Sequence, residues 1–324
     1  MNDHAEPLLS IVVPVYNESG VLDELLRRLQ AAVEPIGPYE LVFVDDCSAD
    51  GSWDRLLGHA AEDRRLRLLR LSRNFGHQVA ISAGLDAARG DAVVIMDGDL
   101  QDPPEVIPQL VARWREGYDV VYAVRDEREG ESLFKRGTAS GFYWLLRRLS
   151  PTEIPAAAGD FRLLSRRAAR ALSQMPERAR FLRGMSAWIG YRQIGVPYTR
   201  DPRYAGETKY PTRKMLRFAA DALTSFSSAP LRLVSGLGLI FVVFCAGYLA
   251  YTIYAKFFTD NTVPGWTTVV VLVLLLGGVQ LVSLGIVGAY VARIFEESKH
   301  RPLYLVDEVF ERGRVEIVEQ PEVR

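Results

Sequence analysis

The sequence predicts an α/β fold, a mainly parallel sheet with helices on both faces, followed by a two-helix membrane hairpin. Three observations predict it. Over the first two hundred residues, short runs rich in Val, Ile and Leu alternate with helical patterns. Three of those runs end in carboxylates: "PVYNE" after the first, "VDDCSADGS" after the second and "DGDLQDPPE" after the fourth. Two long uncharged stretches then follow. Alternation of this kind builds parallel strands joined by crossover helices. Ligands of such sheets sit at the carboxyl ends of the strands.

Strands are expected over Ser10–Tyr16, Glu40–Asp46, Leu66–Ser72, Ala92–Asp97 and Asp119–Arg125. Helices are expected between them, over Gly20–Val33, Ser52–Glu62, Gln78–Ala88 and Glu105–Glu116. Pro103 and Pro104 cannot donate backbone hydrogen bonds and open the last of these. From Pro211 to Ala229 the pattern changes. Met215, Phe218, Ala219, Ala222, Leu223 and Phe226 share one helical face, with Arg213, Lys214, Arg217 and Asp221 elsewhere. This reads as an amphipathic helix at a membrane surface, the alternative being a surface helix packed on its own domain.

Leu233–Ala255 and Val263–Ala292 carry no charge, and each is long enough to cross a hydrocarbon core of about 30 Å. The short connector makes them a hairpin. Arg213, Lys214, Arg217 and Arg232 precede it, Arg293, Lys299 and Arg301 follow it, and the connector holds only Lys256. That bias puts both ends in the cytoplasm. The expected organisation is a cytoplasmic domain over residues 1–210, an interfacial helix over 211–230, two spans within 231–293 and a cytoplasmic tail over 294–324. In the tail, "RPLYLVDEVF" has the composition of a strand.

The 324 residues carry a net charge of -1, which gives no global argument for nucleic acid. Arginine dominates from Arg113 to Arg217, and a basic segment beside a membrane suits contact with anionic lipid. Cys47 lies in a polar loop and Cys245 in an apolar run, so neither a disulfide nor metal-ligand spacing is expected. The N-terminus lacks a basic segment followed by an apolar one, so no signal peptide is expected. The four histidines form no cluster, and His77 reads as a structural residue at a helix start.

Carboxylates packed as closely as Asp97, Asp99, Asp102 and Glu105 repel one another unless a positive charge is present. A divalent metal supplies one. Asp97 and Asp99, separated by a glycine, suit one hard cation with oxygen ligands, Mg²⁺ or Mn²⁺, which also binds substrate phosphates. A lone D-x-D is also what a solvated loop looks like. Its place at a strand end, after two other acidic strand ends, favours the metal.

"IVVPVYNE", "VDDCSADGS", "MDGDLQDPPE" and "GDFRLLSRRA" together resemble family 2 glycosyltransferases of the GT-A fold. The hairpin and "RYAGETKY" narrow the resemblance to the polyprenyl-phosphate glycosyltransferases: bactoprenol glucosyltransferases, undecaprenyl-phosphate aminoarabinose transferases and dolichol-phosphate mannose synthases. The resemblance implies inverting transfer of a sugar, glucose from UDP-glucose by preference, to undecaprenyl phosphate for modification of cell-envelope glycans. Aminoarabinose, mannose and N-acetylhexosamine stay open as donors. It also implies a homotetramer in the bacterial inner membrane.

The implied roles are as follows. Pro14, Tyr16 and Glu18 line a nucleoside pocket, with Asp45 and Asp46 near base and ribose; a cap for the following helix is the alternative for Asp46. Asp97 and Asp99 hold the metal against the diphosphate, and Gln101 completes its shell. Arg203 and Lys209 clamp the donor phosphates. Arg125, Arg136 and Ser140 grip the lipid phosphate, for which the planar guanidinium is suited. Asp160 matches the position given a base role, with orienting the acceptor or tuning the metal as alternatives. Arg162 pairs with acids of the site or holds its loop. A processive polysaccharide synthase shares the D-x-D, but such enzymes use more spans and a Q-x-x-R-W motif, which "GMSAWIGYR" does not supply. A membrane-anchored sugar-nucleotide-binding subunit with a relic site is opposed by the intact acidic strand ends.

Overall fold

The computed structural model describes residues 8–125, 158–200, 265–311 and 313–317, together with 236, 238, 240–241, 243–248, 250–251, 254 and 258. Those up to 125, with 158–200 and 301–317, form one compact unit, and those from 236 to 300 form a second.

The first unit is built on nine strands: β1 (Leu9–Val15), β2 (Tyr39–Asp45), β3 (Leu66–Leu71), β4 (Ala92–Ile95), β5 (Val120–Arg125), β6 (Ala158–Ser165), β7 (Gln193–Tyr198), β8 (Val306–Glu311) and β9 (Arg314–Ile317). Their order across the sheet is β7-β5-β6-β4-β1-β2-β3-β8-β9. The first four are parallel; β1, β2 and β4 are buried on both faces and read as largely apolar runs, whereas β3 interleaves leucines with the half-buried Arg67 and Arg70. The expected mainly parallel sheet is therefore present at the centre. What the alternating pattern did not give is β6. It runs antiparallel between β4 and β5, so its first residues lie beside the carboxyl ends of both neighbours, with Ile95 opposite Arg162 and Val124 opposite Ala158.

Helices α1 (Leu22–Val33), α2 (Ser52–Glu62), α3 (His77–Ala87) and α4 (Ile107–Arg115) stand within two residues of where the periodicity places them. The last is preceded by a single tight turn, Pro104–Val106. Two shorter helices, α5 (Arg166–Ser173) and α6 (Leu182–Trp188), follow β6. Helix α3 lies very close to the sheet. A Cβ on Gly84 would stand 2.2 Å from Val12 Cγ1, so only glycine permits this approach. The approach fixes where the start of α3, with His77, meets the carboxyl ends of the strands.

The C-terminal segment is a working part of the sheet. β8 pairs antiparallel with β3, and Phe310 enters the core opposite Leu68. Glu308 meets Arg70 at 3.3 Å, Glu311 meets Arg89 at 2.6 Å, and the Tyr304 hydroxyl donates to Asp86 at 2.8 Å. The exposed pairs add little; the apolar contact carries the attachment. Phe310→Ala is therefore expected to cost about 3 kcal/mol of stability, read as a lowered denaturation midpoint of the purified protein. An unchanged midpoint would show that β8 merely rests on the edge.

In the second unit, α7 runs from Trp266 to Ser298, 33 residues. At 1.5 Å per residue it is about 50 Å long. Its stretch Leu275–Ser298 is long and apolar enough to cross a membrane, with Leu281, Leu284 and Val291 exposed as a lipid-facing helix requires. It extends past the expected end at Ala292. Within the first expected span, the described residues from 236 to 251 are helical.

Candidate active site

The loops after β1 and β2 are laced together. Asn17, with a φ of 57°, donates its N–H to Ser48 Oγ at 3.0 Å and accepts the Ala49 N–H at 2.8 Å on its side chain. The Glu18 N–H goes to Ser52 Oγ at 3.1 Å, and the Ser19 N–H to Asp50 at 2.9 Å. Burial opposes the Asp50 charge, but the donors from Ser52 and Ser19 outweigh it and hold that carboxyl at about 2. Pro14 is buried in β1, Glu18 is half-buried, and Tyr16 stands half-exposed, a ring face at the edge of this frame.

The two acids at the end of β2, expected near base and ribose, are both tied into loops. Asp45 is fully buried, accepts the Ser48 N–H at 3.1 Å and lies 3.8 Å from Arg70. Its carboxylate holds the loop. Asp46 accepts the N–H groups of Phe75 and Gly76 at 2.7 and 2.9 Å. It does cap a loop, but the one before α3 rather than its own following helix. Burial pushes both carboxyls above their ordinary value, against these donors.

At the end of β4 the chain turns sharply, with Leu100 at a φ of 58°. Asp99 accepts the Gln101 N–H at 3.1 Å, and the Gln101 side chain is buried. Asp97 Oδ1 is buried and makes no aligned hydrogen bond, although His77 Nε2 stands 3.2 Å away. Among the described residues no three of His, Cys, Asp and Glu converge as a complete metal cage.

Asp160, at the start of β6, is 7% exposed and surrounded by donors. Arg183 of α6 reaches both its oxygens, at 2.9 and 3.2 Å. Gln78 donates at 3.0 Å, and His77 lies 3.6 Å away, bridging Asp160 to Asp97. Burial disfavours the Asp160 charge, yet His77 and Arg183 win and hold its carboxyl far below the usual range. Burial likewise opposes the His77 charge, and the two carboxylates reverse this and raise it to about 10. Arg162 is fully buried and donates to the carbonyls of Gly159, Asp160 and Leu182 and to Ser186 Oγ. It holds the loop, one of its two expected roles, and its charge also acts on the neighbouring Asp160 carboxylate, the other.

Arg125 ends β5, half-buried, and donates to the Tyr198 hydroxyl at 3.2 Å. The expected residues Arg136, Ser140, Arg203 and Lys209, and the interfacial helix over 211–230, lie outside the described residues.

Sheet topology thus brings Asp97, Asp99, Asp160 and Arg125 to one end of the sheet. His77, expected as a structural residue at a helix start, stands there beside Gln78 and Arg183, which the sequence reading did not single out. For His77 a signal existed, since it follows the third strand as the acidic stretches follow the others. For Arg183 there was none, because α6 meets Asp160 only through tertiary packing.

Residues 10–173 match the family model described as glycosyl transferase family 2, and residues 229–294 match that of the GtrB C-terminal hairpin. The "Uncharacterized glycosyltransferase YkcC" of Bacillus subtilis is 46% identical over 302 residues, covering 93% of this chain and 94% of that one. The bactoprenol glucosyl transferase of Shigella phage SfV is 39% identical over 300 residues, covering 92% and 97%. The prophage bactoprenol glucosyl transferase homolog of Escherichia coli K12 is 38% identical over 303 residues, covering 93% and 99%.

Proposed function

The chain belongs to glycosyl transferase family 2, and from that premise we propose that it transfers a sugar from a nucleotide-sugar to a polyprenyl phosphate, with UDP-glucose and undecaprenyl phosphate as the preferred pair. The observation that carries the reading is the meeting, at one sheet end, of the Asp97–Asp99 carboxylates with the Asp160–His77–Arg183 group and Arg125. The relatives named for bactoprenol glucosyl transfer support the acceptor class.

The donor set fits a divalent cation. Asp97 offers a buried oxygen without an aligned donor, Asp99 lies two residues on, and Mg²⁺ and Mn²⁺ take one or two carboxylates with the rest of the shell from substrate and water. Asp97, Asp99 and Gln101 would hold the ion, which when bound would offset the charge gathering on the departing diphosphate. Tyr16 offers its ring to the base, beside Pro14 and Glu18. Arg203 and Lys209 remain the proposed clamp on the donor phosphates.

The acceptor is already an anion at neutral pH. Its phosphate oxygen attacks the anomeric carbon as the bond to the diphosphate breaks, and that electron pair leaves with the diphosphate. No proton has to be removed. Asp160, held ionised by Arg183 and His77, is a weak base by the same physics that keeps it charged. Its proposed role is to fix His77 and Arg183 around the reacting groups. Arg125, Arg136 and Ser140 would seat the acceptor phosphate.

The decisive experiment incubates purified protein with undecaprenyl phosphate and a panel of UDP- and GDP-sugars and reads the product by mass. A glucosyl-phospholipid is expected. A different hexosyl product would change the donor, and no lipid-linked sugar with any donor would overturn the reading.

The proposed setting is the bacterial inner membrane, with the catalytic unit and both termini in the cytoplasm. The match of residues 229–294 to a hairpin model supports two spans. A reporter fused after Arg324 is expected to read cytoplasmic and a tag within Phe257–Thr262 external. A cytoplasmic loop tag would rule out the hairpin. Small residues along α7, Gly277, Gly278, Gly285 and Gly288, permit close helix contacts; their proposed use is contact between protomers of a tetramer, with packing inside the hairpin as the alternative.

A further inference from the structure

A second charged cluster lies where β5 and β7 end. Asp102, in the loop after β4, is fully buried. Its Oδ1 accepts the Tyr198 hydroxyl in a short hydrogen bond and lies 3.6 Å from Arg200 Nε. The same hydroxyl accepts from Arg125 Nε at 3.2 Å. Arg125 and Tyr198 are register partners on neighbouring parallel strands, so the sheet itself sets their spacing. Among the described residues, Asp102 Oδ2 and Arg200 Nε are buried without a hydrogen-bond partner.

Such a cluster is a poor way to stabilise a fold. A buried carboxylate is costly, and well-packed apolar side chains commonly do better in its place. What Asp102 achieves that an apolar side chain does not is to hold two guanidiniums at one strand end, one through Tyr198 and one directly. Neither arginine is sealed off: Arg125 is half-buried and the Arg200 side chain retains 20% exposure. The Arg125 guanidinium lies against Gly159, where an added Cβ would stand 3.1 Å from Nη2, and Asp160 is the next residue. Two guanidiniums gathered around one carboxylate, one of them against the Gly159–Asp160 segment, suit a phosphate group.

We infer that Asp102 is a positioning residue which, through Tyr198 and by its own charge, sets Arg125 and Arg200 as a two-arginine seat for the acceptor phosphate, with Arg200 as a further binding residue. This rests on the reading of Arg125 as an acceptor residue. Phosphate oxygens come from the donor as well, so the test separates the two substrates.

Steady-state kinetics of the full-length protein, with undecaprenyl phosphate and the productive nucleotide-sugar, carry that test. Tyr198→Phe deletes one hydroxyl and keeps the edge contact with Phe161, whose ring centroid is 5.9 Å away. It is expected to raise the acceptor KM about 5-fold, with kcat and donor KM within about twofold. Arg200→Ala is expected to raise the acceptor KM about 10-fold or more, and Arg200→Lys to recover part of the loss. Asp102→Asn moves the acceptor KM in the same direction; if it does not fold, the Tyr198 and Arg200 variants decide. Arg125→Ala is the reference. If it raises the acceptor KM while the others do not, the inference is wrong and the acceptor reading stands. If Arg125→Ala leaves the acceptor KM unchanged, the acceptor reading itself fails. A rise in donor KM alone assigns the seat to the sugar nucleotide and overturns the inference. So does a lowered melting temperature with both KM values unchanged, which reduces the cluster to a structural tie.

Discussion

Asp99→Ala is expected to slow turnover by at least about 100-fold, roughly 2.7 kcal/mol of barrier, while leaving the protein folded. The fold should survive because Asp99 lies in a loop beyond the end of β4, outside the buried core, where it accepts the Gln101 N–H. The rate should fall because Asp97 would then be the only carboxylate of the D-x-D pair, and the diphosphate would depart against uncompensated charge. Circular dichroism checks the fold, and turnover with added Mg²⁺ or Mn²⁺ checks the chemistry. A folded Asp99→Ala protein that turns over normally in the presence of chelator would remove the metal from the mechanism.

Arg183→Ala carries the second large effect. Arg183 meets both oxygens of Asp160, a carboxylate 7% exposed. Removing one member of a buried ion pair costs about 3–5 kcal/mol. The Arg183 side chain is 31% exposed, so water replaces part of what is lost, and about 2 kcal/mol is the better expectation. If that energy also orients Asp160 and His77 around the reacting groups, kcat falls about 30-fold. Arg183→Lys should recover some of it, having charge without the planar fork.

The pH dependence follows from the same pair. The Asp160 carboxyl is depressed below its unfolded value of about 3.9. Its ionisation therefore stabilises the fold above about pH 4, and that contribution is lost as pH falls through the folded value. Without Arg183 the folded value rises, so acid unfolding should begin at higher pH. A shifted acid midpoint with wild-type kcat would make the pair structural only.

Much of this protein is legible in its sequence because burial on both faces leaves a simple mark. β1, β2 and β4 are largely apolar runs and β3 a leucine-rich one broken by two arginines, and their lengths locate the strands to within a residue or two. The carboxylates of Glu18, Asp45, Asp46 and Asp97 mark where these strands give way to loops, since an apolar run ends at its first charges. α7 is legible for a related reason: its exposed, uncharged stretch from Trp266 to Ala292 has no stable home in water.

The sequence by itself determined the α/β class, the family, the acidic strand ends and the apolar helices, since each depends on residue type and local spacing. Only the tertiary structure decided which charges meet. Asp45 and Asp46 are neighbours in sequence, yet one serves its own loop and the other the loop before α3. Asp160 reaches the site because β6 runs antiparallel between β4 and β5, and Arg183 reaches Asp160 because α6 packs beneath that strand. Phe310, far along the chain, completes the core by adding β8 to the edge of β3. Such contacts depend on the order and direction of strands, which arise from packing across long separations, and a hydropathy pattern holds no record of them.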